Sequence, residues 1–374
     1  MGGGSVSSVA SGAVARIGGI GGGITDPTHL TLIVDNDVTM TGGSIANAGA
    51  VIGSGFLGGG PTEISMSVGN NVTLNPGTVT DSGSNIGSPS VAVAGGDISV
   101  VAGGNIALNS AGPGLGSFIR TTGGVTLQAN AITEDANAVI QAGQLSTTSN
   151  AGTSLVGPNQ VAGFNATNST SGNVALNNTS PLLTVTGINQ TASGALTLNQ
   201  TGNLAFTGNV NSGAQSLNAT GDVTVAAGTS SLTLSAAGPQ SITSGGTLNV
   251  QGGAADSVSA VITGTGPTNV TVGGNLSLLG GSGQDAHALL FSSGDINLTV
   301  GGVLTLNQGT GQNAWARIQT ETRDSMINIF FPNLSSGGFF VNDIEGALRR
   351  GQTGLLSGNG VAVPDHTLII NYGE

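Results

Sequence analysis

Three consecutive blocks of 28 residues restrict what this chain can fold into. They read "GTLNVQGGAADSVSAVITGTGPTNVTVG" (246 to 273), "GNLSLLGGSGQDAHALLFSSGDINLTVG" (274 to 301) and "GVLTLNQGTGQNAWARIQTETRDSMINI" (302 to 329). Each opens with alternating aliphatic and polar residues, turns at a glycine-rich elbow and enters a second alternating run. The first two blocks close with a third run. A fixed period of this length marks a solenoid.

Aligned, the blocks give columns of like residues: Leu248, Leu276, Leu304; Val250, Leu278, Leu306; Ala260, Ala288, Ala316; Ile262, Leu290, Ile318. Like over like requires parallel, in-register strands about 4.8 Å apart, and the polar positions between them face water. The hand preference of parallel crossovers favours the right-handed form. The expected fold is all-β: a right-handed parallel β-helix with a carboxy-terminal cap.

The same token, a glycine followed by alternating aliphatics, recurs outside the three blocks. Examples are "GDISV" at 96, "GNIAL" at 104, "GGVTL" at 123, "GALTL" at 194, "GNLAF" at 202 and "GDVTV" at 221. Coils are therefore expected over 26–329. At about 22 to 28 residues each, the chain makes roughly 13 to 17 coils in a rod about 60 to 80 Å long. The tokens at 96, 104 and 123 repeat after 98 residues, which suggests an older duplication. Residues 134–170 carry few tokens and are expected to bulge outward. No coil can offset its own ordering entropy, so stability must come from stacking on neighbours.

Composition agrees and narrows the function. The chain has 67 glycines, is 37% hydrophobic and only 6% charged. A disordered chain would lack the aliphatics. Eighteen acidic residues face six arginines and no lysine, a net charge of −12. That argues against nucleic acid, which needs clustered cations to displace counterions, and against anionic lipid. No apolar run is long enough to span a membrane as a helix. Cysteine is absent, which is neutral on compartment for a solenoid with a long core.

The ends differ from the middle. Residues 1–25 are Gly/Ser-rich, without the basic and apolar regions of a signal peptide, and are expected to dock either under their own solenoid or into a neighbouring copy. The last block breaks phase, so that the inward column shifts to Ile327 and Ile329. Residues 330–374 then bring Phe330, Phe331, Phe339, Phe340 and the pair Arg349–Arg350 into a short span. This segment reads as a cap over the last open strand edge, or as an assembly surface.

With coils, columns and tail in view, the chain resembles filamentous-haemagglutinin-like exoproteins of two-partner secretion systems. The resemblance rests on the "GGNIAL", "TGDVTV" and "GGNLSL" tokens, the "GSGQDAHALL" and "GTGQNAWARI" elbows, and the tail "GGFFVNDIEGALRRGQTGLLSGNGVAVPDHTLIINYG". It covers about residues 30 to 374 and is carried by the density of the tokens. It implies a right-handed β-helical rod at the bacterial surface or outside the cell, acting in adhesion, aggregation or biofilm. The partners it implies are a host or neighbouring-cell surface, glycans or matrix. The Asn-Pro-Asn motifs of the family's secretion domain are missing, so the chain reads as the later part of such a protein or as a relative repurposed to stand alone. Head-to-tail stacking of solenoid ends into a homopolymer is the alternative, because such a contact does not close.

Asp285 and His287 could open a catalytic site of the kind β-helical carbohydrate enzymes carry. Such chemistry needs a second carboxylate nearby, but Ser257 and Asn313 occupy the positions of Asp285 in the flanking blocks. No catalytic residue is expected. The stronger candidate is a binding patch of His287, Trp315 and Arg317, in which the single tryptophan offers a flat face to a sugar or peptide. The turn "VDNDVT" at 34–39 lacks the repeated pattern of calcium-binding rolls, so neither metal nor cofactor is expected. The Asn-x-Ser/Thr sequons arise by composition, and His29 and His366 stand alone.

Overall fold

The computed structural model describes residues 5–7, 15–18, 28–46, 49–53, 62–80, 82–88, 95–191, 193–321 and 325–332, with strand backbones at 338–342, 348–350, 354–356 and 369–372. All regular structure among these residues is β, and the strands paired within each compact unit run parallel, except Leu348–Arg350 with Gly354–Leu356. The chain is a parallel β-solenoid. It divides into two compact units, 1–180 and 181–374.

The second unit shows most plainly how sequence becomes coil. One turn comprises strands Leu248–Gln251, Ala260–Gly264 and Thr268–Val272, and the next comprises Leu276–Leu279, Ala288–Ser292 and Ile296–Val300. Leu248 lies opposite Leu276 and Leu276 opposite Leu304, while Ala260, Ala288 and Ala316 form a second file. All six are fully buried, because alternation places every second side chain inside. The phase break holds: Ile327 and Ile329 lie opposite Ile296 and Leu298.

Coil length varies more than the clear repeat implies. In the first unit Val38 lies opposite Val72 and Val72 opposite Ile106, steps of 34 residues, whereas Ile132 to Thr153 and Thr153 to Val174 are steps of 21. In the second unit the step grows from 19 at Leu196–Gln215 to 28 at Thr268–Ile296. The range expected from the sequence is therefore too narrow.

Residues 134–170 do not loop outward. They form the long strands Val139–Ser149 and Thr153–Asn168, which run around the corners of short coils, with a register shift between Leu155 and Asn159. Asn159 and Asn178, both buried, point inward there. Their Oδ1 atoms accept the backbone N–H groups of Ile140 (2.7 Å) and Val161 (2.8 Å). An inward amide thus satisfies main-chain groups that a corner would orphan. Nor do the two token triplets fold alike. Ile98 stacks on Val125 in the first, whereas in the second Leu204 stacks on Val223 and Leu196 pairs with Gln215.

Strands continue into both terminal segments. Ser5–Ser7 pairs with 39–41 and Ala15–Ile17 with 50–52. Gly338–Asn342 pairs with Val303–Asn307, and Ile369–Tyr372 with Ile327–Phe331.

Candidate functional site

The elbow that carries Asp285 repeats three times. In each copy a glycine N–H closes the loop on a carbonyl five residues on: Gly253 to Val258, Gly281 to Ala286 and Gly309 to Ala314, all at 2.7 Å. Near the end of each loop one residue is left-handed: Ser257 (φ 60°), Asp285 (φ 56°) and Asn313 (φ 57°). Short polar side chains tolerate this conformation better than others. Asp285 therefore stands where the turn needs a small polar residue.

His287 also belongs to a stack. Ser231 Oγ accepts the N–H of Ser259 (3.1 Å), Ser259 Oγ accepts the N–H of His287 (2.9 Å), and His287 Nδ1 accepts the N–H of Trp315 (3.2 Å). Each outward side chain caps the backbone of the next coil. For His287 this role requires an unprotonated Nδ1 and hence, when neutral, the Nε2–H tautomer. Burial lowers its pKa from 6.5; Asp285 opposes that shift and Arg317 adds to it.

The three patch residues do meet. The His287 and Trp315 rings stack with centroids 4.7 Å apart and planes 18° from parallel, and the Arg317 guanidinium sits 3.4 Å from the centre of the Trp315 ring. Arg317 is only 7% exposed although its strand position faces outward. The tryptophan face is therefore engaged within the chain by an imidazole and a guanidinium. The first unit repeats part of this arrangement, with Arg120 lying 4.8 Å over Phe118 two residues before it.

The candidates of the carboxy-terminal segment separate. Phe331 is buried inside the coil, whereas Phe330 is 38% exposed on the outer face. The backbones of Phe339 and Phe340 lie opposite Leu304 and Thr305, and those of Arg349 and Arg350 opposite Gln319 and Thr320. Their side chains lie outside the described residues, as does His366. His29 does not stand alone: its Nδ1 lies 2.9 Å from Glu63 Oε2, its register neighbour on an exposed face.

Several polar positions gained their meaning only from the structure. The Asn or Asp after the token glycine is a coil-to-coil cap. Asp97 accepts from Gly124 N–H (2.7 Å), Asn203 from Asp222 (2.9 Å), Asp222 from Thr247 (2.7 Å), Asn275 from Val303 (2.9 Å) and Asp295 from Met326 (2.8 Å). In the turn at 34–39, Asp37 Oδ1 likewise accepts the N–H and side-chain amide of Asn71 at 2.9 and 3.0 Å.

Glu134 is buried at 4% exposure, and its Oε2 accepts from Gly157 N–H (3.0 Å) and Asn159 Nδ2 (2.7 Å). Burial raises its pKa to about 7 against the pull of those two hydrogen bonds. No sequence pattern marked it, because its inward direction depends on the corner.

An open trough of about 680 Å³ runs along the second unit where strand ends turn into elbows. Its lining includes the strand-end residues Ala226, Gln251, Leu279 and Asn307 and the elbow residues Ala254, Ser282 and Thr310. Its glycines hid it from the sequence, since they read as turn formers. No family model, curated protein or solved structure matches this chain.

Proposed function

We propose that the protein is an extracellular or cell-surface β-solenoid whose role is structural and adhesive, in cell adhesion, aggregation or a biofilm matrix, without catalysis. The observation that supports this reading is the use of its acids and its imidazole. Asp97, Asp222, Asp295 and His287 each accept a backbone N–H of the next coil. Groups that could do acid–base work thereby hold coils together, and the outer faces they leave are rich in Asn, Ser and Thr. Such a surface presents many repeated, weakly interacting sites, which suits multivalent attachment. The filamentous-haemagglutinin-like tokens and tail point the same way, with cell surfaces, glycans or matrix as partners.

Beads coated with the purified chain test the proposal on bacterial and epithelial cells. The expected result is saturable attachment that free protein competes away. Attachment no greater than that of albumin-coated beads on every surface contradicts it.

A further inference from the structure

We infer that the trough of the second unit is a binding site for a linear, uncharged polysaccharide lying along the solenoid axis. This deepens the adhesive reading and rests on it. The strand-end residues Ala226, Gln251, Leu279 and Asn307 come from four successive coils, so this file of lining residues spans about 14 Å at the strand spacing. A ligand seated there meets the same kind of contact once per coil.

The choice of ligand follows from what the trough offers. None of its lining residues is ionisable, which leaves acidic glycans, nucleic acid and charged peptides without a counter-charge. The main chain is already paired: Ala227 N–H donates to Gln251 O, Gly252 N–H to Leu279 O and Gly280 N–H to Asn307 O. An extended peptide therefore has no free sheet edge to join. Its rise of about 3.3 Å per residue also falls out of step with the coils.

A pyranose unit is close in length to the strand spacing. The amides of Gln251 and Gln308 and the hydroxyls of Ser282 and Thr310 supply both donors and acceptors for sugar hydroxyls. Leu279 and the alanines offer an apolar surface to the C–H face of a sugar ring.

Gly228 gives an independent sign. The other elbow glycines are required by packing: a Cβ on Gly252 meets Ala286 O at 2.5 Å and one on Gly253 meets a Val258 methyl at 2.4 Å. A Cβ on Gly228 meets nothing within 4 Å, and its φ lies outside the left-handed region. Its lack of a side chain keeps the trough open and serves no contact of the fold.

Affinity electrophoresis of the full chain through gels containing hydroxyethyl cellulose, xyloglucan or galactomannan tests the site. At least one polysaccharide is expected to retard the wild type. Gly228→Leu should weaken that retardation about tenfold or more while leaving the circular dichroism spectrum and melting temperature unchanged. The double variant Gln251→Ala/Gln308→Ala should do the same, and it decides the matter if Gly228→Leu melts early.

Retardation by none of the polysaccharides overturns the inference, as does retardation undiminished in both variants. If coated beads still attach to cells in that case, the adhesive reading survives the loss of the trough. If a polysaccharide is bound at the trough but beads attach to nothing, the adhesive reading fails alone.

Discussion

His287 Nδ1 accepts the backbone N–H of Trp315 from the next coil at 3.2 Å. The imidazole can do this only while that nitrogen is unprotonated, so pH acts directly on the stacking of two coils. The folded chain holds His287 below its ordinary pKa of 6.5. As pH falls below 6.5 the unfolded chain therefore takes up the proton first. This part of the stability is complete above pH 6.5 and is lost as pH falls through the lowered folded value. His287→Asn supplies an amide oxygen that does not titrate. Urea unfolding at pH 7.5 and pH 5 should show the wild type losing more stability than His287→Asn.

Glu134 has the opposite sign. Its pKa is raised from 4.5 to about 7 in the folded state, so the unfolded chain ionises first as pH rises. Stability from this group is complete below pH 4.5 and falls as pH rises through about 7. Glu134→Gln keeps an acceptor for Gly157 and Asn159 without the charge. At pH 8 it should be more stable than wild type, by on the order of 3 kcal/mol at full ionisation, and the gain should vanish at pH 4.

Asp285 separates a turn role from a catalytic one. Its φ of 56° is costly for a β-branched side chain and free for glycine. Asp285→Val should therefore lose about 1 to 2 kcal/mol, whereas Asp285→Gly and Asp285→Asn should unfold close to wild type. Chemical denaturation followed by circular dichroism measures all three.

The caps after the token glycines carry a modest, local cost. Asp222→Ala removes the acceptor of Thr247 N–H, a bond of 2.7 Å, and should cost about 1 kcal/mol. Asp222→Asn retains the oxygen and should recover most of it. Hydrogen exchange at the Thr247 amide reports the same loss residue by residue.

The 28-residue blocks were readable because period, inward columns and outward polarity repeat together. Ala260, Ala288 and Ala316 stack as their alignment requires, and even the shift to Ile327 follows from alternation. Where coil length changes, no fixed period exists to read. The corner residues Asn159 and Asn178 look like surface polar residues until the backbone shows that they turn inward to cap N–H groups. The patch of His287, Trp315 and Arg317 was legible because it lies within the repeat. Its consequence was not, because the repeat cannot show that Arg317 covers the tryptophan ring or that His287 caps a backbone amide. The trough was hidden because Gly228 and Gly252 are indistinguishable in sequence, although only one of them has open space where a Cβ would be.

An adhesive solenoid without catalysis attaches to surfaces independently of Asp285 and His287, the residues that resemble a catalytic pair. Bead–cell attachment of wild type and of the Asp285→Asn/His287→Asn double variant, both confirmed folded, measures this directly. The prediction is strong attachment by wild type and attachment within experimental error of it by the double variant. A folded wild type that attaches to no cell, or a folded double variant that has lost attachment, would contradict it.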